Sequence, residues 1–170
     1  MIIIYVIIEF LCGSLMFSYW LCLVSKKDLS TVGDGNPGAF NLWKAAGYKL
    51  GLAGVFLDFM KGYFPLVLLI NGNLVSGLPV AAVGIAPILG HAFSPFIKFR
   101  GGKAVAVSFG VWSAVTNFRC SLVYAVILAV LLLIAKVINR GESTTTEADG
   151  VMVVLGMWML GFYINAYRLP

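Results

Sequence analysis

The sequence predicts an all-α protein, a polytopic integral membrane helical bundle of about six transmembrane helices with its N-terminus outside. Three observations predict it. Hydrophobic residues fill 61% of the 170 positions and charged residues only 11%, against roughly 25% charged in soluble domains. The mean hydropathy is +0.97, which implies more apolar surface than a soluble fold can hide. Apolar segments recur at spanning length, with cations gathered in alternate gaps between them. A single integral membrane domain, 1–170, is expected.

The first segment, about 2–24, lacks a basic leader and a small-residue cleavage site, so it reads as a retained span. It carries one acid, Glu9. The second, about 50–71, carries Asp58 and Lys61. The third, about 76–97, contains Pro79, Pro87 and Pro95, which predict a kinked or broken helix. The fourth, about 104–117, is shorter than the ~20 residues a span needs. The fifth and sixth, about 119–137 and 150–167, complete the set. No low-complexity stretch or internal repeat interrupts them.

Charge placement predicts the orientation. Lys26, Lys27, Lys44 and Lys49 follow the first span, Lys98, Arg100 and Lys103 the third, and Lys136 and Arg140 the fifth. The alternate gaps hold no charge at 72–75 and Arg119 alone. The positive-inside rule puts the three basic loops in the cytoplasm. Arg168 would then lie outside, a mild exception. The net charge of +5 points to orientation and anionic ligands, not nucleic acid, because no basic–aromatic tract is present. Cys12, Cys22 and Cys120 sit in or beside apolar segments at no metal-site spacing, so structural thiols, no metal and no cofactor are expected.

Three polar constellations interrupt the apolar text. The run Gly33-Asp34-Gly35-Asn36-Pro37-Gly38-Ala39-Phe40-Asn41, followed by Lys44, has the residues of turns and N–H nests. By composition alone it also fits an ordinary connector. The run Phe99-Arg100-Gly101-Gly102-Lys103-Ala104 sets two cations around paired glycines, close after the only histidine, His91. Glycines let backbone approach a ligand, and free N–H groups at a helix start, with Arg100 and Lys103, suit a phosphate. A lone histidine at a helix end is more often a structural hydrogen-bonder than a catalyst. Asp58 and Lys61, three apart, share a helix face inside the bilayer and need partners there. A Glu9–Lys61–Asp58 cluster is expected, acting first as glue between helices.

Taken in order, these motifs resemble the PlsY family of acyl-phosphate:glycerol-3-phosphate acyltransferases. Gly13-Ser14-Leu15-Met16 stands where the family has Gly-Ser-Ile-Pro. The 33–47 run is similar to G-S-G-N-x-G-A-T-N-x-x-R-x-x-G. Asp58, Lys61, Gly62 and Pro65 match D-x-x-K-G-x-x-P. Gly90-His91-Ala92-Phe93-Ser94 and the run from Phe99 to Ala106 stand where the family has G-H-x-F-P and F-K-G-G-K-G-V-A. The likeness runs over about 10–107. It departs at Asp34 for serine, Phe40 for threonine, Lys44 for arginine and Ala104 for glycine. A seventh span ending in a His-Arg-Glu-Asn-like run is also missing, so the chain reads as short by one span.

The resemblance implies transfer of a fatty acyl group from acyl phosphate to the sn-1 hydroxyl of glycerol 3-phosphate, giving lysophosphatidic acid, at the cytoplasmic face of a bacterial inner membrane. His91, Asn36 and Lys103 are then the catalytic candidates. Gly33, Asp34, Gly35, Gly38, Asn41, Lys44, Arg100, Gly101 and Gly102 are the phosphate-binding candidates. Expected partners are the two substrates and the lipid bilayer, with a membrane protein partner a further candidate. The alternative is a catalytically diverged relative that binds a lipid or a protein. A small transporter would also place Asp58 and Lys61 in the membrane, but it leaves the Gly-Gly-Lys loop unexplained.

Overall fold

The structure, a computed structural model, describes residues 1–138, and every regular element among them is helical. Among the described residues, four stretches are long and apolar enough to cross a membrane: Ile2–Val24, Tyr48–Asn71, Pro79–Ile97 and Arg119–Ile138. Val105–Thr116 is a shorter apolar helix. The expected sixth segment, 150–167, with Arg140 and Arg168, lies outside the described residues.

Two compact units divide the chain, Met1–Val115 and a second from Thr116 onward. In the second, α7 (Arg119–Ile138) is a 20-residue helix, almost wholly apolar. Its Cys120 N–H donates to Thr116 Oγ1 at 3.1 Å.

The first unit holds the remaining helices. The first span is two helices, α1 (Ile2–Ser14) and α2 (Phe17–Val24), with Leu15 extended between them. A break exposes carbonyls that lipid cannot satisfy. Here Ser94 Oγ donates to the Ser14 carbonyl at 2.7 Å, and Lys61 Nζ donates to the Leu15 carbonyl. Then come α3 (Ala39–Ala46), α4 (Tyr48–Asn71), α5 (Pro79–Ala92) and α6 (Val105–Thr116).

The interruption expected of the proline-rich third segment falls at its end. Pro79 sits in the first turn of α5, where no N–H is needed. The helix continues through Pro87, and Pro95 opens a 3₁₀ turn, Pro95–Ile97. The unexpected break in the first span has no proline at all.

Close approach of small residues assembles the unit, because apolar burial alone cannot hold helices together in lipid. A Cβ on Gly13 would overlap the Pro87 carbonyl of α5, and one on Gly90 would overlap the Phe10 carbonyl of α1. Gly62 of α4 and Gly110 of α6 meet their neighbours in the same way. Leu66, Val83 and Val111 then pack into a core between α4, α5 and α6.

Candidate active site

Two returning segments build the site. Between α2 and α3 the chain turns at Gly33 and Gly35, with φ of +59° and +70°. Asp34 Oδ1 accepts the Asn36 N–H at 3.2 Å, a side-chain-to-backbone turn. The same oxygen accepts Asn41 Nδ2 at 2.7 Å. Asn41, buried in the first turn of α3, also donates to the Asn36 carbonyl at 3.0 Å. Gly33 lies against this amide, since a Cβ there would sit 2.6 Å from Asn41 Oδ1.

After α5 the backbone reverses, and the paired glycines lie against the helix end. Gly101 N–H donates to the Ala92 carbonyl at 3.1 Å and Gly102 N–H to the His91 carbonyl at 3.0 Å. Both carbonyls are helix-terminal acceptors that would otherwise lack partners. A Cβ on Gly101 would overlap the His91 carbonyl, and one on Gly102 would overlap His91 Nε2. This corrects the expectation that the glycines offer free N–H groups to a phosphate. Their amides close the end of α5, and their missing side chains make room for His91.

Free amides come from elsewhere. A cavity of about 500 Å³ is lined by Gly38, Ala39, Phe40 and Asn41 at the start of α3 and by Ala104, Val105 and Ala106 at the start of α6. Two helix N-termini therefore meet one cavity, each presenting unpaired N–H groups and the positive end of a helix dipole. Asp34, Asn36, Asp58, His91 and Lys103 share the lining. Val55, Phe59 and Phe109 supply apolar wall.

Lys103 Nζ is 2.8 Å from Asp34 Oδ2. Lys103 first, then the Asn41 and Asn36 bonds, hold the Asp34 carboxyl down to about 2. Deeper in, Asp58 joins three elements. Its Oδ1 lies 2.9 Å from Lys61 Nζ and 3.9 Å from His91 Nδ1, the latter beyond hydrogen-bond range. Its Oδ2 accepts Ser18 Oγ of α2 at 3.0 Å.

Glu9 does not join Lys61 and Asp58. It is fully buried, and neither carboxylate oxygen has a hydrogen-bond partner among the described residues. The reason is that Lys61 is committed to Asp58 and to the Leu15 carbonyl freed by the broken span. Lys44 also departs from its expected place: its ammonium lies 4.5 Å from the Phe40 ring centroid, a cation–π contact one turn along α3. Arg100 lines a different cavity, about 410 Å³, with Lys98, Gly35 and Pro37. The 33–38 loop is the wall between the two, with Asp34, Asn36 and Gly38 on one side and Gly35 and Pro37 on the other.

Sequence reasoning missed Ser18, Val55, Phe59 and Phe109. Val55 sits one turn before Asp58 on α4 and Phe59 directly after it, and helical spacing could have yielded the first. Ser18 and Phe109 carry none. No group of three or more His, Cys, Asp or Glu side chains converges among the described residues.

The family model for "Glycerol-3-phosphate acyltransferase" matches residues 3–168. A glycerol-3-phosphate acyltransferase 1 from Thermotoga maritima is 39% identical over 159 residues, 92% of this chain and 77% of the relative. Two crystal structures of PlsY (YgiH), an integral membrane glycerol 3-phosphate acyltransferase, share the fold. The glycerol 3-phosphate form has a TM-score of 0.83 at 27% identity, covering 99% of this chain and 78% of that one. The lysophosphatidic acid form has a TM-score of 0.80 at 26% identity, with the same coverage.

Proposed function

The chain belongs to the glycerol-3-phosphate acyltransferase family, and from that premise we propose that it moves a fatty acyl group from acyl phosphate to the sn-1 hydroxyl of glycerol 3-phosphate. The hydroxyl oxygen bonds to the acyl carbon and the bond from that carbon to the phosphate oxygen breaks. Lysophosphatidic acid and inorganic phosphate are the products, and the hydroxyl proton departs with the phosphate.

One observation carries this reading: Lys103 and two helix N-termini converge at one cavity that His91 and Asn36 also line and to which Val55, Phe59 and Phe109 give an apolar side. Phosphates suit the positive end, and an acyl chain suits Val55, Phe59 and Phe109. His91 and Asn36 orient the attacking hydroxyl or stabilise charge developing on the acyl carbonyl. Acyl phosphate is already activated, so positioning and electrostatics are the main demands on the protein. Asp58 neutralises Lys61 beneath His91 and stays a positioning residue.

The basic residues Lys26, Lys27, Lys44, Lys49, Lys98, Arg100 and Lys103 support a cytoplasmic-facing site in a bacterial inner membrane, by the positive-inside rule. The test is an assay of purified protein in detergent with palmitoyl phosphate and labelled glycerol 3-phosphate. Lysophosphatidate from the parent, lost in Lys103→Ala, is the expected result. No product from folded parent would instead favour a diverged relative that only binds a lipid or protein.

A further inference from the structure

Asp34 puts a carboxylate into the cavity's most positive region. Its Oδ2 lies 2.8 Å from Lys103 Nζ, at the mouth of two helix N-termini. That is where a phosphate oxygen would be held. The carboxylate is also tethered. Its Oδ1 is occupied by the Asn36 N–H and Asn41 Nδ2, so it cannot swing away without breaking the loop's own bonds. The Lys103 side chain is half exposed and that of Asp34 28% exposed, so an incoming anion can reach the pair.

We infer that Asp34 is a resident anion of the phosphate site, and that a phosphate monoester must take Lys103 from it in order to bind. Residue 34 thereby sets how tightly the site takes its phosphorylated substrate. This rests on the function proposed above. A site whose competent state is populated a fraction f of the time binds 1/f more weakly. If Asp34 holds Lys103 for about nine-tenths of the time, affinity for phosphate is reduced about tenfold. The fixed negative charge beside a bound dianion weakens it further.

The experiment is calorimetry on the full chain in detergent at constant salt, with inorganic phosphate and then glycerol 3-phosphate as probes. Asp34→Asn keeps an oxygen for the Asn36 and Asn41 donors but loses the charge. Asp34→Ser is a second, smaller replacement. Both variants should bind both probes about tenfold or more tightly than the parent, and Lys103→Met should abolish the gain. In turnover assays the change should fall on KM for glycerol 3-phosphate more than on kcat. Equal or weaker binding in both variants would overturn the inference, and so would a gain that survives Lys103→Met. Tighter phosphate binding without lysophosphatidate from any variant would sink the acyl-transfer reading and leave the role of Asp34 standing. Lysophosphatidate with unchanged binding would do the reverse.

Discussion

Lys61 Nζ lies 2.9 Å from Asp58 Oδ1, one turn apart on α4, with both side chains almost fully buried. The same ammonium donates to the Leu15 carbonyl. One ion pair therefore does two jobs: it neutralises a carboxylate in the bilayer and holds open the break in the first span. Removing one partner leaves the other charged and buried without a counter-charge. Lys61→Met should lower stability by about 3–5 kcal/mol, read as a large drop in Tm in detergent. Pairing it with Asp58→Leu should recover a good part of the loss. Recovery failing altogether would mean that the Leu15 contact matters more than the charge balance.

Gly102 gives His91 its place. A Cβ there would overlap His91 Nε2, and the imidazole is the movable partner. Gly102→Ala should shift the ring by a few tenths of an ångström to an ångström and cut kcat about 10²-fold. The backbone bond from Gly102 to the His91 carbonyl survives, so Tm should change little. Wild-type kcat in the folded variant would remove His91 from the chemistry.

Stability should also respond to acid through Asp34. Its carboxyl lies at about 2, below the ordinary 3.8. A carboxyl lowered in the folded state stabilises above its unfolded value, and the contribution is lost as pH falls through the folded one. The Tm difference between parent and Asp34→Asn should be full above about pH 4 and shrink towards pH 2. A pH-independent difference would show that the pair with Lys103 contributes nothing through charge.

Glu9 is a buried carboxyl with no partner among the described residues. Such a group costs about 1–3 kcal/mol relative to an apolar one of similar size. Glu9→Leu should therefore raise Tm and leave acyl transfer intact, since Glu9 does not line the cavity. A lower Tm would mean that the carboxyl is paired in the bilayer-embedded protein.

Helical membrane architecture was legible because hydropathy and span length act locally, residue by residue. The site's polar inventory was legible too. Asp34, Asn36, Asn41, Asp58, His91 and Lys103 stand out against an apolar background, and all of them line one cavity. Of their partners, Lys61 was legible for Asp58 from the three-residue spacing; the others were not. Nothing near Gly101 and Gly102 in the chain says that their amides face the end of α5 instead of a ligand. Lys44 and Arg100 carry the charge a phosphate wants, yet one lies over Phe40 and the other lines a second cavity.

The first span shows the division most clearly. Met16 stands where the family motif has proline, so no residue at the break forbids a continuous helix. The break is held by Ser94 and Lys61, 80 and 46 residues away from the carbonyls they satisfy. By itself the sequence determined which segments enter the membrane and which polar groups must find company there, because each residue's transfer cost is its own. Only the tertiary structure decided which groups meet, because a hydrogen bond or ion pair needs two atoms within about 3 Å, and helix packing alone brings distant residues that close.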